Sequence, residues 1–288
     1  MAQAPTDYEL YLRVPELLSL QKSPEQRACP DELMFQVVHQ SAELWMKLLD
    51  HELQEFVRSL DEQVLQLHVA QTALHRVHHI QRLLLSGLEI LYTLSPTDYM
   101  RIRAVLGRGS GQESPGFRRM LALGGEVWPH FARLLERSRV TLSDIYREPR
   151  AFPALFAIAE GLLEFDLRLQ EWRNRHILLV YRTIGLGTPS LKGKHSELLE
   201  KGLRTQFFPA LWEVRDEVYA QWTAAHPQGA EQTLTGAPVG GRAAAPPPSQ
   251  SAAPPQPAAP SQPAAPSQPT PPTPPPSPAA RKPRSRSR

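Results

Sequence analysis

The helical spacing of apolar residues, which runs through most of residues 1–226, constrains the fold more than any other feature of the sequence. Apolar side chains recur three and four positions apart, and the alternating β-branched runs typical of half-buried strands are scarce. Segments of about 30 residues with this pattern predict helices about 45 Å long. The sequence therefore predicts an all-α fold, a long-helix bundle. We expect helices at about 8–20, 31–59, 61–93, 96–106, 115–123, 127–136, 152–182 and 195–222.

The C-terminal part of the chain has a different composition. Residues 227–288 contain 19 of the 30 prolines and no Phe, Trp, Tyr, Ile, Met or Cys. Such a segment cannot bury enough apolar surface to offset the conformational entropy that folding removes. The hexapeptide QPAAPS occurs twice, at 256–261 and 262–267. We therefore expect one helical domain over 1–226 and a disordered, Pro/Ala/Ser-rich tail with a basic end over 227–288.

The net charge of +3 reflects mainly this tail, because residues 1–226 carry 26 basic and 28 acidic side chains. The basic end, RKPRSRSR, is compatible with nucleic acid or with an acidic surface. The simpler alternative is a solvated tail that binds neither. We expect no nucleic acid partner.

The single cysteine, Cys29, excludes an intramolecular disulfide framework and a zinc site built from cysteines. The N-terminal sequence is polar and does not resemble a secretory signal, and no apolar run is long enough to cross a bilayer. These features favour a reducing compartment. We expect a cytoplasmic protein with no membrane partner.

Two of the ten histidines lie on apolar faces of predicted long helices. His39 shares its helical stripe with Phe35 and Met46, and His176 shares its stripe with Trp172 and Leu179. A buried imidazole needs a partner for each ring nitrogen, and a haem iron is one such partner. The alternative for either histidine is a core residue that is hydrogen bonded within the protein.

A cation adjoins a glycine-rich segment in TDYMRIRAVLGRGSG, residues 97–111. Tyr99 and Arg103 are one helical turn apart, and Arg103 lies where the predicted helix gives way to glycines. A guanidinium in this position suits bidentate binding of a carboxylate. The alternative is a solvated helical arginine. The segment matches neither a Walker motif nor a dinucleotide fingerprint, because no strand precedes it.

Five ordered segments together resemble the tryptophan 2,3-dioxygenase family, a group of haem-dependent dioxygenases. FQVVHQSAELWMKLLDHEL resembles the family's HQ-x-x-ELWxK helix, and WRNRHILLVYRTIG resembles its WRxRHxxxVxRxIG segment. The resemblance covers essentially all of residues 1–222 and none of the tail. The segments lie at 8–21, 35–53, 97–111, 172–185 and 207–218.

The resemblance implies a haem b between the helices, with His176 as the proximal ligand of the iron. It implies that His39 is the distal histidine, which contacts the indole N–H of the substrate, and that Phe35 forms part of the indole pocket. Arg103 would bind the substrate carboxylate beside Tyr99. Ser110 stands where the family has a serine near the haem.

The resemblance also implies a homotetramer, because Tyr8, Tyr11 and Leu12 match N-terminal residues that reach into the site of a neighbouring subunit. One segment departs from the family pattern. A mobile loop with the sequence GTGG follows the IG dipeptide in the family, whereas this chain has GLGTPSLKG at 185–193. Thr188 or Ser190 would take the place of the loop threonine that recognises the substrate ammonium, and Pro189 would stiffen the loop.

The resemblance implies an enzyme that cleaves the indole C2–C3 bond of L-tryptophan with O₂ to give N-formylkynurenine. The altered loop leaves an alternative open, a haem-dependent monooxygenase or peroxygenase that acts on a substituted indole, tryptophan or tyrosine derivative. A second alternative is a haem protein that acts as a sensor without turnover.

Overall fold

The structure is a computed structural model that describes residues 4–62, 65–107, 109, 111–186 and 205–226. Every regular element in these ranges is helical, which confirms the predicted all-α class. Short 3₁₀ turns occur at Pro24–Gln26 and Gly111–Glu113. The predicted tail, residues 227–288, lies outside the described residues. The α-helices are α1 Asp7–Leu12, α2 Val14–Leu18, α3 Glu32–Asp61, α4 Leu67–Leu91, α5 Pro96–Val105, α6 Pro115–Ser138, α7 Leu142–Arg147, α8 Pro153–Ile184 and α9 Pro209–Ala225.

The core is formed mainly by four long helices, α3, α4, α6 and α8. Each helix directs one apolar face inward, as the spacing of three and four predicts. Phe56, Phe131 and Phe165 are among the side chains that are almost completely buried there. α4 packs against both α3 and α8, the two helices that carry His39 and His176. The bundle therefore fixes α3 and α8 relative to each other through their shared contact with α4.

The prediction of two helices at 115–123 and 127–136 was wrong, because α6 runs without interruption from Pro115 to Ser138. Its apolar face continues through Leu123, Val127 and Phe131, all of which are buried. Gly124 does not end the helix but lets it approach the segment that precedes α9. A Cβ atom at this position would lie 2.8 Å from the ring of Phe207. The glycine reflects close packing, not a turn.

Other predicted boundaries also differ from the structure. The helix expected at 8–20 is divided at Arg13, which has a left-handed backbone conformation with φ of 53°. Pro15 then lies in the first turn of α2, where its missing N–H costs nothing. α4 begins at Leu67 and not at residue 61. The six-residue helix α7 is too short to show a clear period, and it was not predicted.

Of the helix expected at 195–222, residues 195–204 lie outside the described residues. Residues 205–208 are not helical, and α9 begins at Pro209. Asp166 of α8 is completely buried and explains this start. One of its carboxylate oxygens accepts the backbone N–H groups of Phe207 at 2.9 Å and Phe208 at 3.3 Å, and the indole N–H of Trp212 at 3.0 Å. These bonds hold Phe207 and Phe208 in a non-helical conformation just before α9 and fasten α9 to α8.

Among the described helices, none combines the length and the apolar composition that a bilayer crossing requires.

Candidate functional site

His39 and Phe35 are stacked one helical turn apart on α3. Their ring centroids are 4.1 Å apart. Nδ1 of His39 lies 2.7 Å from the backbone carbonyl of Phe35. A carbonyl oxygen only accepts hydrogen bonds, so Nδ1 carries the proton and a neutral ring keeps its lone pair on Nε2. His39 is therefore oriented to accept a hydrogen bond at Nε2.

His39 combines solvent exposure with a lowered pKa. Burial among the surrounding protein atoms lowers the pKa below the usual 6.5, although hydrogen bonding to Phe35 and the nearby charge of Glu43 act in the opposite direction. Exposure together with desolvation is typical of a side chain that lines a cleft. At neutral pH the imidazole is therefore uncharged and available as an acceptor.

His176 lies on α8 with its ring stacked on the indole of Trp172. The two ring centroids are 5.1 Å apart and the planes differ by only 2°. Burial, with a smaller contribution from the positive form of His39, lowers the pKa of His176 to about 4. The two histidines are thus close enough to interact electrostatically. Among the described residues, no hydrogen bond reaches the ring of His176.

Tyr92, which follows α4, fastens the part of α8 that carries His176. Its hydroxyl donates a hydrogen bond of 2.9 Å to the backbone carbonyl of Arg175. Arg182 donates from Nε to the backbone carbonyl of Tyr92 at 3.2 Å. The two contacts lie on either side of His176 along the chain, and they fix this part of α8 against the end of α4.

An apolar cluster joins the surroundings of the two histidines. Val38 of α3, Leu88 of α4 and Leu179 of α8 are buried in it, and both Phe35 and Trp172 pack against it. The residues adjoining His176 are thus suited to a flat apolar group. Together with a neutral imidazole that has no described hydrogen-bond partner, they fit a haem held through His176.

α5 brings Tyr99 and Arg103 to the same region. The ring centroids of Tyr99 and Phe35 are 6.4 Å apart. Burial raises the pKa of Tyr99, while the charge of Arg103 and a hydrogen bond with it act in the opposite direction. Ser95 caps α5 by accepting the N–H of Asp98 at 3.0 Å. Arg103 therefore lies one helical turn after Tyr99, which is itself close to Phe35.

Of the remaining predicted site residues, the three on α1 are not brought together with these groups. Tyr8, Tyr11 and Leu12 lie on α1, where their side chains are 70%, 88% and 46% exposed. They do not pack on the histidines of their own chain, so a contact with a second subunit stays a prediction. Ser110, Thr188 and Ser190 lie outside the described residues.

Reasoning from the sequence missed one residue beside the site. Glu43 of α3 lies one turn after His39, and its carboxylate accepts hydrogen bonds from the start of α6. The available signal was its position in the motif HQSAELW, four residues beyond the histidine and therefore on the same face of the helix.

Comparison with known proteins identifies relatives over most of the chain. A family model described as tryptophan 2,3-dioxygenase matches residues 1–127. The chain is 32% identical over 263 residues to the tryptophan 2,3-dioxygenase of Myxococcus xanthus, covering 74% of this chain and 90% of that protein. It is 30% identical over 251 residues to the enzyme of that name from a Nocardioides species, with coverages of 73% and 94%. It is 31% identical over 269 residues to the one from Caulobacter vibrioides, with coverages of 76% and 100%.

Proposed function

Because the chain belongs to the tryptophan 2,3-dioxygenase family and is an oxidoreductase, we propose that it cleaves the indole C2–C3 bond of L-tryptophan with O₂ and forms N-formylkynurenine. The observation that supports this proposal most is the pair of neutral histidines, His39 and His176, that interact across a region also lined by Phe35 and reached by α5. The ring of His176 has no hydrogen-bond partner among the described residues, and His39 is oriented to accept a hydrogen bond from an N–H group.

His176 is the residue that would hold a haem b in this proposal. When bound as ferrous haem, the group supplies binding and activation of O₂. The neutral form of His176 is the form that ligates iron, and its low pKa of about 4 keeps it neutral well below neutral pH. Trp172 and Tyr92 orient the ring and the helix segment that bears it.

His39 would bind the indole N–H of the substrate. The free lone pair on Nε2 accepts a hydrogen bond from the indole nitrogen, while Nδ1 remains bonded to the carbonyl of Phe35. The ring of Phe35 packs against the indole. In this role His39 fixes the orientation of the substrate and need not remove a proton.

Arg103 would bind the substrate carboxylate, with Tyr99 beside it. A guanidinium offers two parallel donors to a carboxylate, which fixes the amino acid end of the substrate while His39 holds the indole end. Two anchors at opposite ends of one molecule favour an aromatic amino acid over a free indole. L-Tryptophan has both groups.

The proposal includes assembly into a homotetramer in the cytoplasm. α1 and α2 bury none of their side chains within their own chain. An apolar stripe on α3 is also exposed, at Val37, Leu44 and Leu48. A second copy of the chain would cover such surfaces. Light scattering of the purified protein measures the assembly, and replacing Tyr8 and Tyr11 by serine should weaken it.

Variants test the two central roles. His176→Ala should abolish stable haem binding, whereas His75→Ala, a change at an exposed histidine of α4, should not. Arg103→Ala should raise KM for L-tryptophan by about 100-fold, as expected for loss of a charge-assisted bidentate contact. Arg101→Ala is the matched control, because Arg101 lies two residues away and pairs with Asp98 at 3.1 Å. Unchanged haem content in His176→Ala, or equal effects of the two arginine variants, would overturn the assignments.

A further inference from the structure

Glu43 is the residue through which α3 holds the start of α6. The hydroxyl of Ser114 donates to one carboxylate oxygen of Glu43, and the backbone N–H of Gly116 donates to the other at 2.9 Å. Ser114 is the N-cap of α6 and accepts the N–H of Phe117 at 3.0 Å. The N–H of Gly116 lies in the first turn of the helix, where no intrahelical acceptor exists. Both carboxylate oxygens are thus used to anchor one helix end.

The contact between Glu43 and α6 depends on a glycine. A Cβ atom at position 116 would lie 2.7 Å from a carboxylate oxygen of Glu43 and 2.9 Å from Cβ of Met46. A larger residue at 116 would therefore force Glu43 and Met46 to shift. The absence of a side chain at 116 thus permits the close approach in which Glu43 accepts the N–H of Gly116.

The anchor lies on the same face of α3 as His39. Phe35, His39 and Glu43 follow one another at intervals of one turn. Phe35 contacts Tyr99 of α5, and Glu43 contacts the first turn of α6. The connection from α5 to α6, residues 106–114, therefore begins and ends at points on α3 that flank His39.

We propose that Glu43 is a positioning residue for substrate binding. By holding the start of α6, it fixes the far end of the α5–α6 connection and so keeps Arg103, in the last turn of α5, in place for the substrate carboxylate. This inference rests on the proposed function, because it assigns Glu43 to the same substrate site. Glu43 touches neither substrate nor haem in this account. Its charge also acts on His39, and the Arg103→Ala background separates that effect from the positioning of Arg103.

Glu43→Gln is the primary test, since it keeps the size of the side chain. The amide oxygen still accepts from Ser114, but the NH₂ group faces the N–H of Gly116 and cannot accept from it. We expect KM for L-tryptophan to rise about tenfold, the effect of one lost hydrogen bond to a charged group, with kcat changed less than about twofold. Haem content and the absorption spectrum of the haem-loaded protein should not change.

Glu52→Gln is the matched control on the same helix. Glu52 is buried and accepts from Arg76 of α4 at 3.2 and 3.3 Å, so it also joins α3 to another helix. It lies nine residues beyond Glu43, further from His39. We expect this variant to unfold at lower urea concentration but to bind L-tryptophan with unchanged KM.

The Arg103→Ala background tests the route of the effect. If Glu43 acts by positioning Arg103, Glu43→Gln should change KM by less than about twofold once Arg103 is absent, because coupled residues are not additive. A full tenfold effect in that background would overturn the inference. An equal rise in KM for Glu43→Gln and Glu52→Gln would also overturn it, since that outcome indicates general destabilisation.

Hydrogen exchange separates this inference from the proposed function. The amide of Gly116 should exchange faster in Glu43→Gln than in the wild type and in Glu52→Gln. If the wild type neither binds nor oxidises L-tryptophan, the proposed function and the substrate role of Glu43 both fail, even when exchange supports the anchor. If the wild type is active but exchange at Gly116 is unchanged in Glu43→Gln, only the inference about Glu43 fails.

Discussion

Asp166→Ala should destabilise the helical domain more than most single substitutions. The Asp166 carboxylate is completely buried and accepts the N–H groups of Phe207, Phe208 and Trp212. Alanine leaves three donors without this acceptor, one of them buried and two half-buried. At about 1.5 kcal/mol for each hydrogen bond to a charged group, and with the bond of 3.3 Å weaker than the others, the free energy of unfolding should fall by about 4 kcal/mol.

Neighbouring groups increase the cost of this change. The charge of Arg173, which is also buried, lies near enough to Asp166 for the two to interact. Removal of the carboxylate leaves a buried guanidinium with less compensation. Arg173 still donates to the backbone carbonyl of Thr205 at 2.9 Å, so the segment before α9 should loosen without being released completely.

Urea unfolding of the full-length, haem-loaded protein, followed by circular dichroism, measures this effect. Asp166→Asn is the control, because the remaining oxygen of the amide can still accept from the N–H groups, and its loss should be about half as large or less. A loss below about 1 kcal/mol in Asp166→Ala would refute the reasoning, since it would mean that the three donors readily find other partners.

Four further changes test separate parts of the account. Trp172→Leu should lower haem affinity about tenfold in an absorbance titration, because the group that orients the ligand His176 is lost, whereas Trp172→Phe should retain most of the affinity. Equal haem affinities of the two variants would contradict the stacking role of Trp172. Because burial lowers the pKa of His39 below 6.5, kcat/KM for L-tryptophan should be constant around neutral pH and fall only at more acidic pH, where protonation removes the acceptor; a decline centred above 6.5 would contradict this. Leu53→Ala, a change at a core residue that is 1% exposed, should lower the free energy of unfolding in urea by about 3 kcal/mol. A loss under about 1 kcal/mol would contradict the rigid packing around Leu53, because it would mean that neighbouring side chains fill the cavity. Deleting residues 227–288 should leave unfolding and turnover unchanged, and loss of soluble protein would show that the domain boundary lies elsewhere.

The long helices could be predicted from the sequence because their apolar periodicity extends over many turns. α3 and α8 were predicted to within a few residues for this reason. The break at Arg13 and the continuity of α6 through Gly124 could not be predicted. They depend on a local left-handed conformation and on packing against Phe207, neither of which periodicity reports.

The candidate site shows the same division. His39, Phe35, Tyr99 and Arg103 stood out because each lies in a motif or on an apolar face, and their roles in catalysis and binding stay predictions. Membership of the family is confirmed by the relatives. Glu43 and Asp166 did not stand out, because their importance comes from backbone N–H groups 73 and 41 or 42 residues away in the chain. Such contacts appear only when the helices are packed.

The most direct test of the proposed reaction is the mass of the product formed when haem-loaded, reduced protein reacts with L-tryptophan and ¹⁸O₂. The account predicts N-formylkynurenine that contains two labelled oxygen atoms, analysed quickly enough to limit exchange with water. A product with one labelled atom, after correction for exchange, would contradict the dioxygenase reaction and favour a monooxygenase. Haem binding without any product from L-tryptophan would contradict the proposed substrate.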